Sequence, residues 1–267
     1  MKNRFALILI AAGACLACAT AANAGQRCDT AKPTPRVIER GLNLAQRTAA
    51  ALDAEHRQHG TRVVLLARAG QDLSKYGQHW SHVGWAYKTA EGPWRVVHKL
   101  NECGTDQSLI TRQGLGEFFL DDLWRYEAAW APPPPELQDA LWKLLQDNRR
   151  APALHQRRYS MVSYAWGTRY QQSNQWAIET LALAAEPHAQ RREQAQAWLR
   201  LKDYRPATLR IGALTRLGGR MTAGNVAFDD HPSAQRFADR IETVTADSVF
   251  DWLQRAPLGG GVQRLGG

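Results

Sequence analysis

Residues 80–100 read WSHVGWAYKTAEGPWRVVHKL, and this stretch decides the architecture. Two runs rich in aromatic and β-branched side chains, 80–88 and 94–100, flank Thr89-Ala90-Glu91-Gly92-Pro93. A five-residue break with Gly and Pro between such runs predicts an antiparallel hairpin. Side chains alternate along a strand. Trp80, His82, Gly84 and Ala86 therefore take one face, and Ser81, Val83, Trp85 and Tyr87 the other. His82 lies beside Gly84, where the missing Cβ lets another group approach. Trp85 and Trp94 are expected to pack across the hairpin.

Upstream, Thr34-Pro35 opens a helical stretch to about His59, with Ile38, Leu42, Leu44, Ala45, Ala49 and Leu52 as its stripe and Gly60 as its end. Residues 62–67 (RVVLLA) predict a short buried strand, and 70–78 a loop. Downstream, 115–124 reads as a short helix or turn and 125–130 as a strand. Pro134-Pro135-Glu136 starts a helix through about Asn148. Residues 159–166 look partly extended, and 167–172 form a loop. Helices follow from Ser173 or Asn174 to about Ala185 and from Gln190 to Asp203. Strand candidates at 207–211 and 225–228 and a helix near 247–253 complete the pattern. Strands and helices mix without repeats, so the fold class is α+β, a small antiparallel sheet packed by helices.

The composition is that of an ordinary globular protein: 44% hydrophobic and 22% charged over 267 residues. That excludes a disordered or collagen-like chain. Lys2 and Arg4, the apolar run Phe5 to Cys18, and Ala22-Asn23-Ala24 form a secretory signal pattern with cleavage after Ala24. A lipoprotein reading on Cys18 ranks second, because Cys15-Leu16-Ala17 fits it poorly. The organisation is then a signal peptide (1–24), one α+β domain with a helical C-terminal extension (25–255) and a flexible Gly-rich tail (256–267). The expected location is the periplasm. Cleavage lowers the formal charge from +9 to +7 and leaves two cysteines, Cys28 and Cys103. In an exported chain they are most simply one disulfide, worth about 4 kcal/mol on the chain-entropy model. No apolar stretch after residue 25 approaches the roughly 20 residues of a membrane span. Arg outnumbers Lys 27 to 7, yet no basic block, zinc-finger spacing or phosphate loop appears. Nucleic acid is therefore not an expected partner, and no cofactor is expected.

Acyl-transfer chemistry needs a nucleophile, a base for its proton and a group that orients the base. A nucleophile opening a helix also has free N–H groups and the positive dipole end beside it. Ser173, in Gln171-Gln172-Ser173-Asn174-Gln175-Trp176, fits that position. His82 is the candidate base and His98, on the neighbouring strand, the candidate orienter. Asn174, Gln175 and Trp85 are candidate ligand contacts. Structural readings stand beside these: Ser173 as an N-cap, His82 as a half-buried strand residue, and the clustered tryptophans as core. His79 and His82 point to opposite strand faces, so no metal site is expected.

Ser81-His82-Val83-Gly84-Trp85, the strand Val96-Val97-His98 and the later Ser173-Asn174-Gln175-Trp176 resemble the circularly permuted NlpC-type papain-like proteins. The resemblance covers residues 62–185. From about Gly25 to Trp252 the chain also resembles a family of uncharacterised exported bacterial proteins known as a domain of unknown function. The first resemblance implies a papain-like fold with the histidine ahead of the nucleophile. It departs at the nucleophile, since Ser173 stands where the thiol belongs, and at His98, where an acidic or amide residue is usual. Two functional readings stay open. One is an envelope hydrolase or acyltransferase acting on an amide or ester. The other is a catalytically inactive papain-like protein that binds an envelope component: a peptide, lipid or cell-wall fragment.

Overall fold

The computed structural model describes residues 32–121, 123–255 and 260–266. In chain order the strands are β1 (Val63–Ala69), β2 (His82–Lys88), β3 (Trp94–Asn101), β4 (Ser108–Gly114), β5 (Arg125–Ala131), β6 (Ala207–Arg210), β7 (Arg240–Thr243) and β8 (Gln263–Leu265). Six of them make one antiparallel sheet in the order β4-β3-β2-β1-β5-β8, and β6 pairs with β7 in a separate ribbon. The helices are α1 (Pro35–His59), α2 (Leu115–Phe119), α3 (Gln138–Gln146), α4 (Ser173–Ala185), α5 (Arg192–Leu201), α6 (Ala213–Thr222), α7 (Ser233–Phe237) and α8 (Ala246–Arg255).

Both faces of the sheet are covered. Leu44 and Leu52 of α1 and Phe118 and Phe119 of α2 pack on Val64, Leu66, Ala86 and Val96. On the opposite face, residues of α3, α4 and α8 pack on Val63, Leu65, Val83, Trp85 and Val97. β1 runs between β2 and β5, so all seven of its residues are buried. That is why residues 63–67 form a continuous apolar run rather than an alternation. Among the described residues no helix is long and apolar enough to cross a membrane.

Local signals explain the helix ends. The Thr34 hydroxyl accepts from Val37 N at 3.4 Å, Pro35 occupies the first turn, and Gly60 closes α1 at φ 69°. A left-handed cap of this kind costs glycine nothing. The hairpin forms as expected, with Trp85 opposite Val97 and Lys88 opposite Trp94. This register puts Trp85 and Trp94 on opposite faces, in different cores, so they do not pack together.

The elements β4, α6, α7, β7 and β8 are not among those expected from the sequence. Ser108–Gly114 (SLITRQG) carries polar residues on both faces, as an edge strand can, and so lacks alternation. Residues 225–228 are not a strand, and 159–166 are turns. Within the expected loose tail, residues 263–265 pair with β5 as the outermost strand. Cys103 lies in the turn between β3 and β4, where Gly104 adopts φ 75°. Its expected partner Cys28, and the expected signal peptide, lie outside the described residues.

Gly84 decides how closely β2 and β3 approach. A Cβ there would meet Val96 Cγ1 at 2.7 Å and His98 Cβ at 2.9 Å. Gly84→Ala is therefore expected to push β3 away and lower stability by about 1–3 kcal/mol. Urea denaturation of the two proteins measures this; an unchanged midpoint would show that the contact is not tight.

Candidate active site

Ser173 is the first residue of α4, which crosses the sheet against β2 and β3. It is not the N-cap. Gln172 holds that position, and its side-chain oxygen accepts from Asn174 N at 2.9 Å. The other end of the Gln172 amide donates to Val244 O, and its backbone N–H donates to Ser163 Oγ at 3.1 Å. The helix start is thus pinned from the α8 side and from the 159–166 turns. The Ser173 side chain is left free to point at the sheet.

There it meets His82. Ser173 Oγ lies 3.2 Å from His82 Nδ1, and His82 Nε2 lies 2.8 Å from His98 Nδ1. His98 Nε2 in turn lies 2.8 Å from Gln113 Oε1 on β4. With the Gln113 amide oxygen, which only accepts, facing His98 Nε2, the proton positions along the series follow from that orientation. His98 Nε2–H donates to Gln113, so His98 Nδ1 accepts from His82 Nε2–H. His82 Nδ1 is left as the acceptor for the Ser173 hydroxyl. Two neutral imidazoles therefore act as a relay with one direction.

Neutrality of both rings has a physical cause. Burial, followed by the nearby Arg68 cation and His98, holds the His82 imidazole well below its ordinary 6.5. Burial and Arg68 lower His98 to about 3, against the opposing pull of its bond to Gln113. Arg68 sits directly opposite His82 across the β1–β2 register. It is buried, donates to Phe118 O, pairs with Asp121 and stacks over the Phe118 ring at 4.9 Å. That ring also lies 5.3 Å from the His98 ring and 5.9 Å from the His82 ring, closing the site from α2.

Tyr159 is buried near Ser173, whose side chain and backbone act on its phenol. Burial holds this phenol protonated, above its ordinary 10. Gln113, Arg68 and Tyr159 are absent from the sequence-derived site. Gln113 was hidden because β4 was unread. With β4 in register, Gln113 lies opposite Val96 and diagonal to His98 on the same face.

The candidate ligand contacts all make hydrogen bonds within the protein. Trp85 is fully buried and donates its indole N–H to Ala177 O at 2.9 Å, so it belongs to the core. Asn174 accepts from Val83 N at 3.0 Å and donates to Val244 O, tying helix to sheet. Gln175 accepts from Ser163 Oγ at 2.8 Å and donates to Tyr164 O and Ala165 O. Both amides are spent on backbone and loop contacts. His79, the neighbour of His82 in sequence, pairs with Glu127 at 2.7 Å. His231 Nε2 donates to Val162 O at 2.7 Å, which makes the 229–231 cluster a turn anchor. Among the described residues no group of three or more His, Cys, Asp or Glu could hold a metal ion.

Two surface concavities, one between β4 and residues 148–155 and one between 153–156 and 190–193, both stop short of His82 and Ser173. Ser173 itself is 5% exposed. Residues 55–253 match a family described as an uncharacterized protein conserved in bacteria (DUF2145). Neither the curated proteins nor the solved structures give a match.

The depressed His98 value makes a stability prediction. Unfolded, His98 takes up a proton near 6.5; folded, it does so only near 3. Its contribution is therefore complete above pH 6.5 and declines as pH falls toward 3, by up to about 1.4 kcal/mol per pH unit for this one group. Denaturation midpoints measured across that range should fall less steeply in His98→Asn than in the wild type. Parallel curves would show that His98 is protonated normally.

Proposed function

The chain belongs to this bacterial family, and we propose that it is a serine-type hydrolase or acyltransferase acting on an amide or ester of the cell envelope. The observation that carries this reading is the one-way hydrogen-bond series from Gln113 through His98 and His82 to Ser173. In this reading His82 Nδ1 takes the Ser173 proton as the oxygen attacks a carbonyl carbon. The same imidazole returns the proton to the leaving group. His98 and Gln113 are positioning residues that hold the base in the required tautomer. The Ser173 backbone N–H and the protonated hydroxyl of nearby Tyr159 are the groups suited to receive the developing oxyanion. The permuted papain-like arrangement belongs to the same proposal: a strand histidine precedes a nucleophile that opens a helix, with serine in the thiol's place.

A second reading is favoured by the burial of Ser173 and by the low proton affinity of His82, which makes it a weak base. In that reading the fold is an inactive relative that binds an envelope peptide, lipid or cell-wall fragment.

A fluorophosphonate probe separates the two. Under the first reading the wild type is labelled on Ser173, Ser173→Ala is not, and His82→Ala reacts at least about 100-fold more slowly. The labelling rate should stay flat as pH falls past 6.5, because protonation that disables the base occurs only well below that value. An unlabelled wild type favours the binding protein.

Export to the periplasm with cleavage after Ala24 completes the proposal, and with it a disulfide between Cys28 and Cys103. Peptide mapping without reductant should recover these two residues in one cross-linked species. Recovery of Cys103 as an alkylatable thiol would remove the disulfide from the proposal.

A further inference from the structure

Helix α6 is built inside out. Its inward positions, Gly212 at the cap and then Arg216, Gly219 and Ala223, recur at helical spacing and are small or charged. Arg216 turns toward the protein, donating to Ile211 O and pairing with Asp239 at 2.6 Å. A Cβ on Gly219 would meet Val226 at 3.3 Å, so the helix rests closely on that side. The opposite face carries Leu214, Leu217 and Met221, which are 85%, 57% and 78% exposed. Gly218 lies between them with nothing within 4 Å of where its Cβ would be. No residue of the helix is buried. An amphipathic helix on a globular protein normally turns its apolar stripe to the core; this one turns it to solvent.

The surroundings of the stripe are cationic. Arg220 is exposed on the flank of α6 and has no acidic partner among the described residues. Arg210 and Arg240 face each other across the β6–β7 register, both exposed and neither ion-paired among the described residues, and β6 leads directly into α6. Like charges directly opposite on a ribbon destabilise it, so a compensating anion suits this position.

We propose that α6 seats the protein on an anionic lipid surface, with Leu214, Leu217 and Met221 entering the acyl boundary and Arg210, Arg220 and Arg240 meeting headgroup phosphates. The chemistry favours lipid over a protein partner. A ten-residue helix is about 15 Å long, and three aliphatic side chains without an aromatic anchor fall short of a stable protein interface. Shallow insertion of an apolar stripe backed by arginines is how an interfacial helix binds. The inference is independent of the Ser173 chemistry.

The test is co-sedimentation of the full chain with phosphatidylcholine vesicles, with and without phosphatidylglycerol. The Phe5–Cys18 run is common to every variant and sets an equal background. The wild type should bind phosphatidylglycerol vesicles preferentially. Leu214→Ser/Leu217→Ser/Met221→Ser should bind about 50-fold more weakly. These side chains face solvent, so its thermal midpoint should be unchanged. Arg220→Glu should keep the stripe and lose about 5-fold on anionic vesicles only. Equal binding by wild type and triple variant overturns the proposal, as does binding indifferent to phosphatidylglycerol. Self-association that the triple variant abolishes, without vesicle binding, assigns the stripe to a second copy and overturns it as well.

Discussion

The arrangement of the candidate site depends on one buried carboxylate. Glu179, in the middle of α4, is fully buried and receives Arg192 Nε at 2.7 Å and Nη2 at 3.0 Å. Gln171 and Gln196 also donate to it, at 2.5 and 2.8 Å. Arg192 spends its remaining donors on the carbonyls of Gly167, Thr168 and Tyr170. One ion pair thus ties α4, α5 and the 167–172 loop into a unit, and that loop delivers Ser173 to the sheet. Removing one partner would leave a buried charge alone, at a cost of about 3–5 kcal/mol. Lys99 joins the same network from β3, donating to Gln171 Oε1 at 3.0 Å and to Gln156 O. Burial, then Arg192, lowers its ammonium to about 6 while Glu179 pulls the other way. Even so, three acceptors surround its nitrogen (the third is His155 Nδ1 at 3.2 Å), a number that suits the charged form.

The two sides of β3 therefore carry opposite electrostatic arrangements. On the α4 side a cation, Lys99, is held among acceptors. On the α2 side two imidazoles are kept neutral by burial and by Arg68. Neutrality readies His82 to accept a proton, yet the same cation disfavours the imidazolium that acceptance would create. Asp121 supplies the counter-charge to Arg68.

Much of this was legible in the chain. The hairpin at 80–100, the capped helix α1 and the helix at Ser173 rest on local signals: aromatic runs about a Gly-Pro break, Thr-Pro and Gly at helix ends, and a polar loop before an apolar helix. His82, His98 and Ser173 could be singled out because their residue types are chemically distinctive. Gln113, Arg68 and Tyr159 could not, since each matters only through where β4, β1 and the turn at 159 lie in space. Asn174 and Gln175 show the converse, since their side-chain bonds within the protein could not be read from the chain. Side-chain amides in a first turn look available until the carbonyls and hydroxyls that consume them are known.

The amino-acid sequence by itself determined the elements with local causes, the α+β class and the chemical identity of the three central side chains, because caps, alternation and reactive groups are properties of neighbouring residues. Only the tertiary structure decided that a hydroxyl and an imidazole 91 positions apart meet at 3.2 Å. It also decided which face of α6 is turned outward. Those outcomes depend on strand register, on the burial of Glu179 and on the pairing of Arg216 with Asp239, all contacts between segments distant in the chain.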